Sequence, residues 1–465
     1  PSGGQEYNGE FDAEGICTVR AVAVKDGYMN SDEAQLQITF YADEEHAETA
    51  SEGLIASAFE WNPELPKNVT EFRIEGRLNE ADYAFIRSMG ALRHLDLKDV
   101  ADAHIPDNAF RDTRLISVSL PADMVECGDA IFSGAPLLSS VEWNSGSVIV
   151  ADGLTGGLEN PNVLLYVPAE TTVSGNADLN VVREGSASEV TLHYGHPYYA
   201  SRGFVAERVS LTHDFRQTTA VDTCRGWETI VLPFSPTGIT HEVNGPAVPF
   251  AAWNEDIKGD KPFWLYSATS GGWEASDSIR ACVPYIISMP NNPDYVPEFN
   301  LGGKVTFSAE GVYLGPDRSL AMADSWIDGT QFEGTFMPME EIGIPISSLN
   351  VGSAEGDLEP GSAFIPGGTT LPFGAYVSGA GRKAMPLFGG SSSVDMPLTV
   401  DAGLLIETPA PGVLRICSGR ERRIAVTTAT GVTIRTLRLS PGEAVTIEGL
   451  TRDLYIVAGR KVMVR

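Results

Sequence analysis

The 465-residue chain contains no run of about 18 apolar residues, so no segment is read as a membrane-crossing helix. Basic residues are scarce: 32 Lys and Arg stand against 62 Asp and Glu, a net charge of −30. A field of that sign repels phosphate backbones and anionic lipid, so neither nucleic-acid binding nor electrostatic membrane docking is expected. The five cysteines, Cys17, Cys127, Cys224, Cys282 and Cys417, are odd in number and far apart, with no C-x-x-C pair. They imply neither a disulfide framework nor a zinc module. No Gly-x-Ser-x-Gly, His-Glu-x-x-His or P-loop pattern occurs, and any two of 62 carboxylates could be named a glycosidase pair. The sequence therefore names no reaction, no catalytic residue, no metal and no cofactor. It also opens without a secretory signal, and its start at Pro1 rather than Met points to a processed or trimmed end.

What the chain has in abundance is turn residues, 48 glycines and 29 prolines, well above the ordinary share of about 12%. With a length that suggests three or four domains of ~150 residues each, this composition predicts a mainly β, multidomain protein. The clearest order lies between Val69 and Val167. An apolar, two variable, an apolar, one variable and an apolar residue recur as Val69-Phe72-Ile74, Leu92-Leu95-Leu97, Leu115-Val118-Leu120, Leu138-Val141-Trp143 and, in shortened form, Leu165-Val167. The motif is centred on 72, 95, 118, 141 and 165, a step of 23 or 24 residues, which is the period of a leucine-rich-repeat solenoid.

Each repeat supplies a short strand and a return limb, and one repeat cannot bury its apolar edge alone, so stability has to come from stacking. Two limbs match: Ile105-Pro106-Asp107-Asn108-Ala109-Phe110 and Cys127-Gly128-Asp129-Ala130-Ile131-Phe132, which places Phe110 and Phe132 in the core and sets Cys127 in the position of Ile105. The first limb differs, because Tyr83, Ile86 and Met89 follow Asn79 at helical spacing and predict a capped helix. With Phe72, Leu95, Val118 and Val141 inward, Arg73, Asp96, Ser119 and Glu142 must point outward on one face. That column is polar, mixed in sign and free of aromatics, which predicts a weak contact strengthened by multiple copies.

The Ala-Phe limbs followed by Leu115-Ile116-Ser117-Val118-Ser119-Leu120-Pro121 resemble the BspA-type leucine-rich repeats of bacterial surface proteins, a resemblance that covers 60–180. It implies adhesion to host proteins or to other cells, and a place outside the cell or on its surface, associated with the outer membrane. Before it, the alternating runs from Cys17 to Val24 and from Ala34 to Phe40 are read as strands of a partial β domain at 1–48. Thr18-Val19-Arg20-Ala21-Val22-Ala23-Val24-Lys25-Asp26-Gly27-Tyr28 is similar to a run in the immunoglobulin-like module appended to chitobiases and hexosaminidases, an accessory module without their active site. The acidic run Asp43-Glu44-Glu45-His46-Ala47-Glu48 is read as a solvated linker.

The 181–400 region reads as one large or two smaller β domains, with the prolines around Gly226–Phe234, Pro284–Asn291 and Leu371–Val377 marking strand ends. These runs, with Lys304–Ala309, resemble a module of secreted proteins from gut and oral bacteria. Gly389-Gly390-Ser391-Ser392-Ser393 is read as a joint or a hairpin tip. Beyond it, 405–465 predicts a small β-sandwich of five short strands, Val413 to Cys417, Arg423 to Thr427, Val432 to Leu439, Ala444 to Ile447 and Leu454 to Val457, before a terminal segment from Lys461. Its tail resembles C-terminal domains of secreted proteins that include type IX sorting domains, with Asp453 where Gly is usual.

Three local patterns are set aside. His193 and His196 are three apart; if the segment is a strand, that odd spacing turns them to opposite faces and they do not share an ion. Asn254, Asp256, Lys258, Gly259 and Asp260 space oxygens like a calcium loop, but Lys258 holds the central ligand position. Gly379-Ala380-Gly381-Arg382-Lys383-Ala384 imitates half a dinucleotide fingerprint, and Pro386 blocks the helix that motif requires. Trp253, Trp264, Tyr266 and Trp273 fall close together, and are read first as β-domain core and second, through Trp264, as a platform for a sugar ring. The expectation is a non-catalytic binding or adhesion protein contacting a host or bacterial surface protein or glycan through Arg73, Asp96, Ser119, Glu142 or Trp264. The rivals are a carbohydrate-active enzyme, or its glycan-binding accessory protein, with a site in 181–389, and a structural stalk.

Overall fold

The structure is a computed structural model that describes residues 17–24, 45–52, 55–101, 103–146, 156–175, 179–215, 226–242, 261–269, 272–291, 302–316, 330–339, 360–378, 404–418 and shorter stretches among and after these. The protein is mainly β. Its chain divides into two compact units: one formed by Pro1–Leu192, Pro197–Val209 and Gly311–Asp317, the other by His193–His196, Ser210–Glu310 and Arg318–Arg465.

The first unit is built on a ladder of parallel strands. Successive pairings join Phe72 to Leu95, Leu95 to Val118, Val118 to Val141, and Val141 to Leu165, so the motif centres lie side by side. All five are 2% exposed or less. Asn180–Arg183 adds a further parallel strand, with Val181 opposite Leu165. At the other end the ladder begins earlier than expected. His46–Glu52 is a strand paired in parallel with Glu71–Arg77 along its whole length, which corrects the linker reading for His46, Ala47 and Glu48, while Asp43 and Glu44 lie outside the described residues. Its core-facing positions are Ala47, Thr49 and Ser51, all buried, and such small and hydroxylated residues hide the alternation that would announce a strand.

The return limbs form a second seam. Ala103–Ile105 pairs in parallel with Met124–Cys127, and Ile105 faces Cys127 as the matched limbs require. Further along, the amides of Asn108, Phe110 and Asp112 donate to the carbonyls of Asp129, Ile131 and Ser133. Asn108 and Ala130 occupy the same place in successive limbs and both adopt positive φ, 57° and 50°. Asn accepts that conformation readily and Ala does not. Phe110 and Phe132 are buried and stack with ring centroids 5.5 Å apart, and Tyr83 meets Phe110 edge-on at 5.8 Å. Tyr83 comes from the helix Glu80–Ser88, which has a reciprocal capping box: Asn79 accepts from the Asp82 amide, and the Asp82 carboxylate accepts from the Asn79 amide. Burial pushes the half-buried Cys127 thiol up to about 11, with the Asp129 charge adding to it, so this cysteine serves as packing.

In the second unit a six-stranded sheet runs in the order Ser325–Ile327, Thr330–Gly334, Ala375–Ser378, Ile346–Leu349, Ala363–Pro366 and Met385–Pro386. Its Phe332, Phe364 and Val377 share a core with Ile286 and Ala268 from the strands Tyr285–Ser288 and Lys261–Thr269. Pro284 and Pro290 stand just outside Tyr285–Ser288, where a missing N–H costs the ladder nothing. Near the C-terminus, a three-stranded and a four-stranded sheet close on one core of Leu414, Ile416, Ile424, Val426, Leu439 and Val457. Five strands were expected over 405–465 before the terminal segment. Leu404–Ala410 is an additional one, paired with Val413–Ser418, and Arg460–Val464 completes the second sheet. The Gly389–Ser393 joint lies outside the described residues.

Phe110→Ala and Phe132→Ala are each expected to cost about 3–5 kcal/mol in urea unfolding, and their double variant to depart from additivity because the rings touch. Ala130→Gly is expected to stabilise by about 1 kcal/mol by relieving the positive φ. A loss on Ala130→Gly, or additive phenylalanine effects, would contradict this packing.

Candidate functional site

The outer face of the parallel ladder carries a groove of about 490 Å³, to which five neighbouring strands contribute. The register sets its floor in two rows. His46, Glu71, His94 and Ser117 are Cα partners in turn, and beside them run Glu48, Arg73, Asp96, Ser119 and Glu142. The structure thus brings Arg73, Asp96, Ser119 and Glu142 into one groove. Trp264 is not among its lining residues. It belongs to the second unit, half-buried against the core that contains Trp227 and Ile286.

Arg73 lies among carboxylates, with Glu75 at 2.6 Å, Asp99 at 2.9 Å and Glu48 at 3.8 Å. The hydrogen bond to Asp99, with the nearby acid charges, raises the guanidinium above its ordinary value and outweighs the opposing effect of burial. Asp96 accepts the Lys98 amide at 3.0 Å. Ser119 accepts from Asn144 Nδ2 at 3.0 Å, and Ser117 Oγ lies 2.8 Å from His94 Nδ1. His46 and Glu71 are 3.5 Å apart.

One boundary of the groove comes from far along the chain. Residues 197–203 strap the outer face of the ladder at its later rungs. Ser201 donates to Glu142 at 2.8 Å and accepts from Ser140 at 2.8 Å. Arg202 pairs with Glu142 at 3.4 Å, sets its guanidinium 5.1 Å over the Tyr166 ring, and accepts the Tyr166 hydroxyl on its carbonyl. Tyr199 meets His94 with ring centroids 5.3 Å apart. This cover buries Leu164 and Tyr166 on the outer side and ends the groove there. Sequence reasoning missed the strap because residues 197–203 belong to no repeat, and missed His46 and Glu48 because it began the ladder one strand too late.

The second unit holds a buried polar cluster. His213 Nε2–H donates to Glu228 Oε2 at 2.6 Å, with both side chains about one-tenth exposed or less. The Tyr194 ring stacks on the imidazole at 3.7 Å, and Phe215 meets it edge-on at 4.1 Å. Burial, reinforced by Glu228, pushes the Tyr194 phenol well above its usual range, so Tyr194 acts as a donor, to the Thr229 carbonyl. Rings pack on the imidazole from two sides, and the cluster reads as a staple. The strand Val190–His193 ends at His193, and a turn with Gly195 at φ 84° carries the chain to His196. The two histidines are therefore separated by a turn, so the strand condition on their spacing is not met. Residues 255–260 and 379–383, which carry most of the calcium-like and dinucleotide-like patterns, lie outside the described residues. Among the described residues no group of three or more His, Cys, Asp or Glu is placed to hold a metal ion, and no helix is long and apolar enough to cross a membrane.

No protein-family profile, curated protein or solved structure matches the chain. The groove must therefore be read from its own chemistry.

Glu228→Leu alone is expected to cost about 3–5 kcal/mol in chemical unfolding, because it strands a buried polar partner, and adding His213→Leu to recover much of that loss. Two additive losses would show that the pair does not act as a unit.

Proposed function

We propose that this is a non-catalytic binding protein of the cell surface or extracellular space, and that the outer face of its parallel ladder is the contact surface. On this reading the ladder is a short leucine-rich-repeat solenoid of the BspA type, and the β-sandwich parts serve as spacers. The observation that carries it is the shared groove. Arg73, Asp96, Ser119 and Glu142 face one concavity while their sequence neighbours Phe72, Leu95, Val118 and Val141 are buried behind it. A row of outward polar side chains on a stacked scaffold is a surface that can be varied without disturbing the core. The shallow, polar lining suits a weak contact multiplied over many copies rather than a single tight pocket.

The test is a bead-displayed full chain presented to host cells, matrix proteins and glycans. Arg73 and Glu142 hold internal ion pairs, so Asp96→Arg combined with Ser119→Arg is the cleaner block: it fills the groove from positions whose side chains face outward. Binding is expected to fall by about tenfold or more, since each lost monovalent contact is multiplied by avidity. Retained binding by the blocked variant, with loss on Trp264→Ala, would place the contact in the second unit instead.

A further inference from the structure

Most charged heads in the groove are already held by the protein. Arg73 is surrounded by Glu75, Asp99 and Glu48, Glu142 is taken by Arg202 and Ser201, and His46 stands beside Glu71. Asp96 accepts a backbone amide. An ionic ligand would have to exchange these pairs for its own, which yields little in a solvated groove. The apolar members of the floor, Ala47, Phe72, Leu95 and Val118, are 2% exposed or less. They provide no anchor of the kind a tight protein partner requires.

Hydroxyls remain. A serine hydroxyl has one donor and two acceptor positions. Ser117 is placed by His94 and Ser119 by Asn144, each through one bond, so their oxygens are fixed while further valences stay open. Ser201 donates to Glu142, accepts from Ser140 and also meets the Tyr166 hydroxyl, so it closes the row at that end. Hydroxyls fixed in advance cost less to order on binding, and they match the alternating donor and acceptor character of sugar hydroxyls. Spacing adds a second constraint. Neighbouring strands lie ~4.8 Å apart, close to the advance of one ring in an extended β-linked sugar chain. Resting on the reading of this face as a contact surface, we propose that the groove binds a neutral, extended oligosaccharide lying across the strands, about one sugar to each rung.

The experiment is calorimetric titration of the full chain with neutral β-linked gluco-, manno- and xylo-oligosaccharides of increasing length, a uronic-acid oligomer and a glucosamine oligomer, at low and high salt. Affinity for at least one neutral series is expected to rise with length to about five sugars and then level off, because the lining spans that many rungs. Salt is expected to change it by less than about twofold. Ser117→Ala with Ser119→Ala is expected to weaken it by about tenfold, and Ser119→Arg to abolish it, with thermal unfolding monitored to confirm the fold. Binding confined to the charged oligomers, or lost at high salt, would overturn the proposal. Capture of a matrix protein but no neutral sugar, abolished by Ser119→Arg, would overturn the ligand class and leave the contact surface standing. Neutral-sugar binding that survives Ser119→Arg would overturn both.

Discussion

A short apolar strand in the first unit can bury its inward side chain only against the strands on either side of it. Phe72, Leu95, Val118, Val141 and Leu165 form a column whose members are partners through parallel pairing, and each shields the next. The three-residue strands His94–Asp96, Ser117–Ser119 and Ser140–Glu142 would have no stability apart from this stacking. The return limbs repeat the arrangement with Phe110 and Phe132, so two columns, one of strand residues and one of rings, hold the turns in register.

That register dictates the chemistry outside. Once the inward column is set, period-two alternation leaves His94, Asp96, Ser117, Ser119 and Glu142 no orientation but the outer face. Side chains on neighbouring strands are then close enough to pair, and they do: Arg73 gathers acids from its own strand, from the preceding strand and from the loop carrying Asp99. A protein of net charge −30 thus has a groove whose main cation is internally compensated. Long-range repulsion of anions and local neutrality at the site are different properties, and the second governs which ligand can lie in the groove.

The second unit uses its polar and aromatic residues differently. Trp273 packs edge-on against Phe332 and near-parallel to Phe364, Tyr266 meets Trp227, and Trp264 joins the same cluster. These rings fill the space between sheets, while Trp253 is half exposed. The buried His213–Glu228 pair and the Tyr194 ring stacked on it fix one arrangement within that unit, consistent with a scaffold part.

Where a residue's role depends on periodicity, the sequence was sufficient: the motif centres, the burial of Phe110 and Phe132, the Asn79 cap and the outward direction of Arg73, Asp96, Ser119 and Glu142 follow from local spacing and the geometry of strands and helices. Roles that depend on contacts across many residues were not legible. His46–Glu52 reads as polar chain because its buried positions are Ala47, Thr49 and Ser51, and only the pairing with Glu71–Arg77 makes it a strand. Ser201 and Arg202 carry no pattern at all, yet they set one end of the groove and hold Glu142 from 59 residues away. Sequence alone determined which side chains face outward, since alternation is a property of the backbone. Tertiary structure alone decided which of them are already occupied, because pairing depends on where distant segments come to rest.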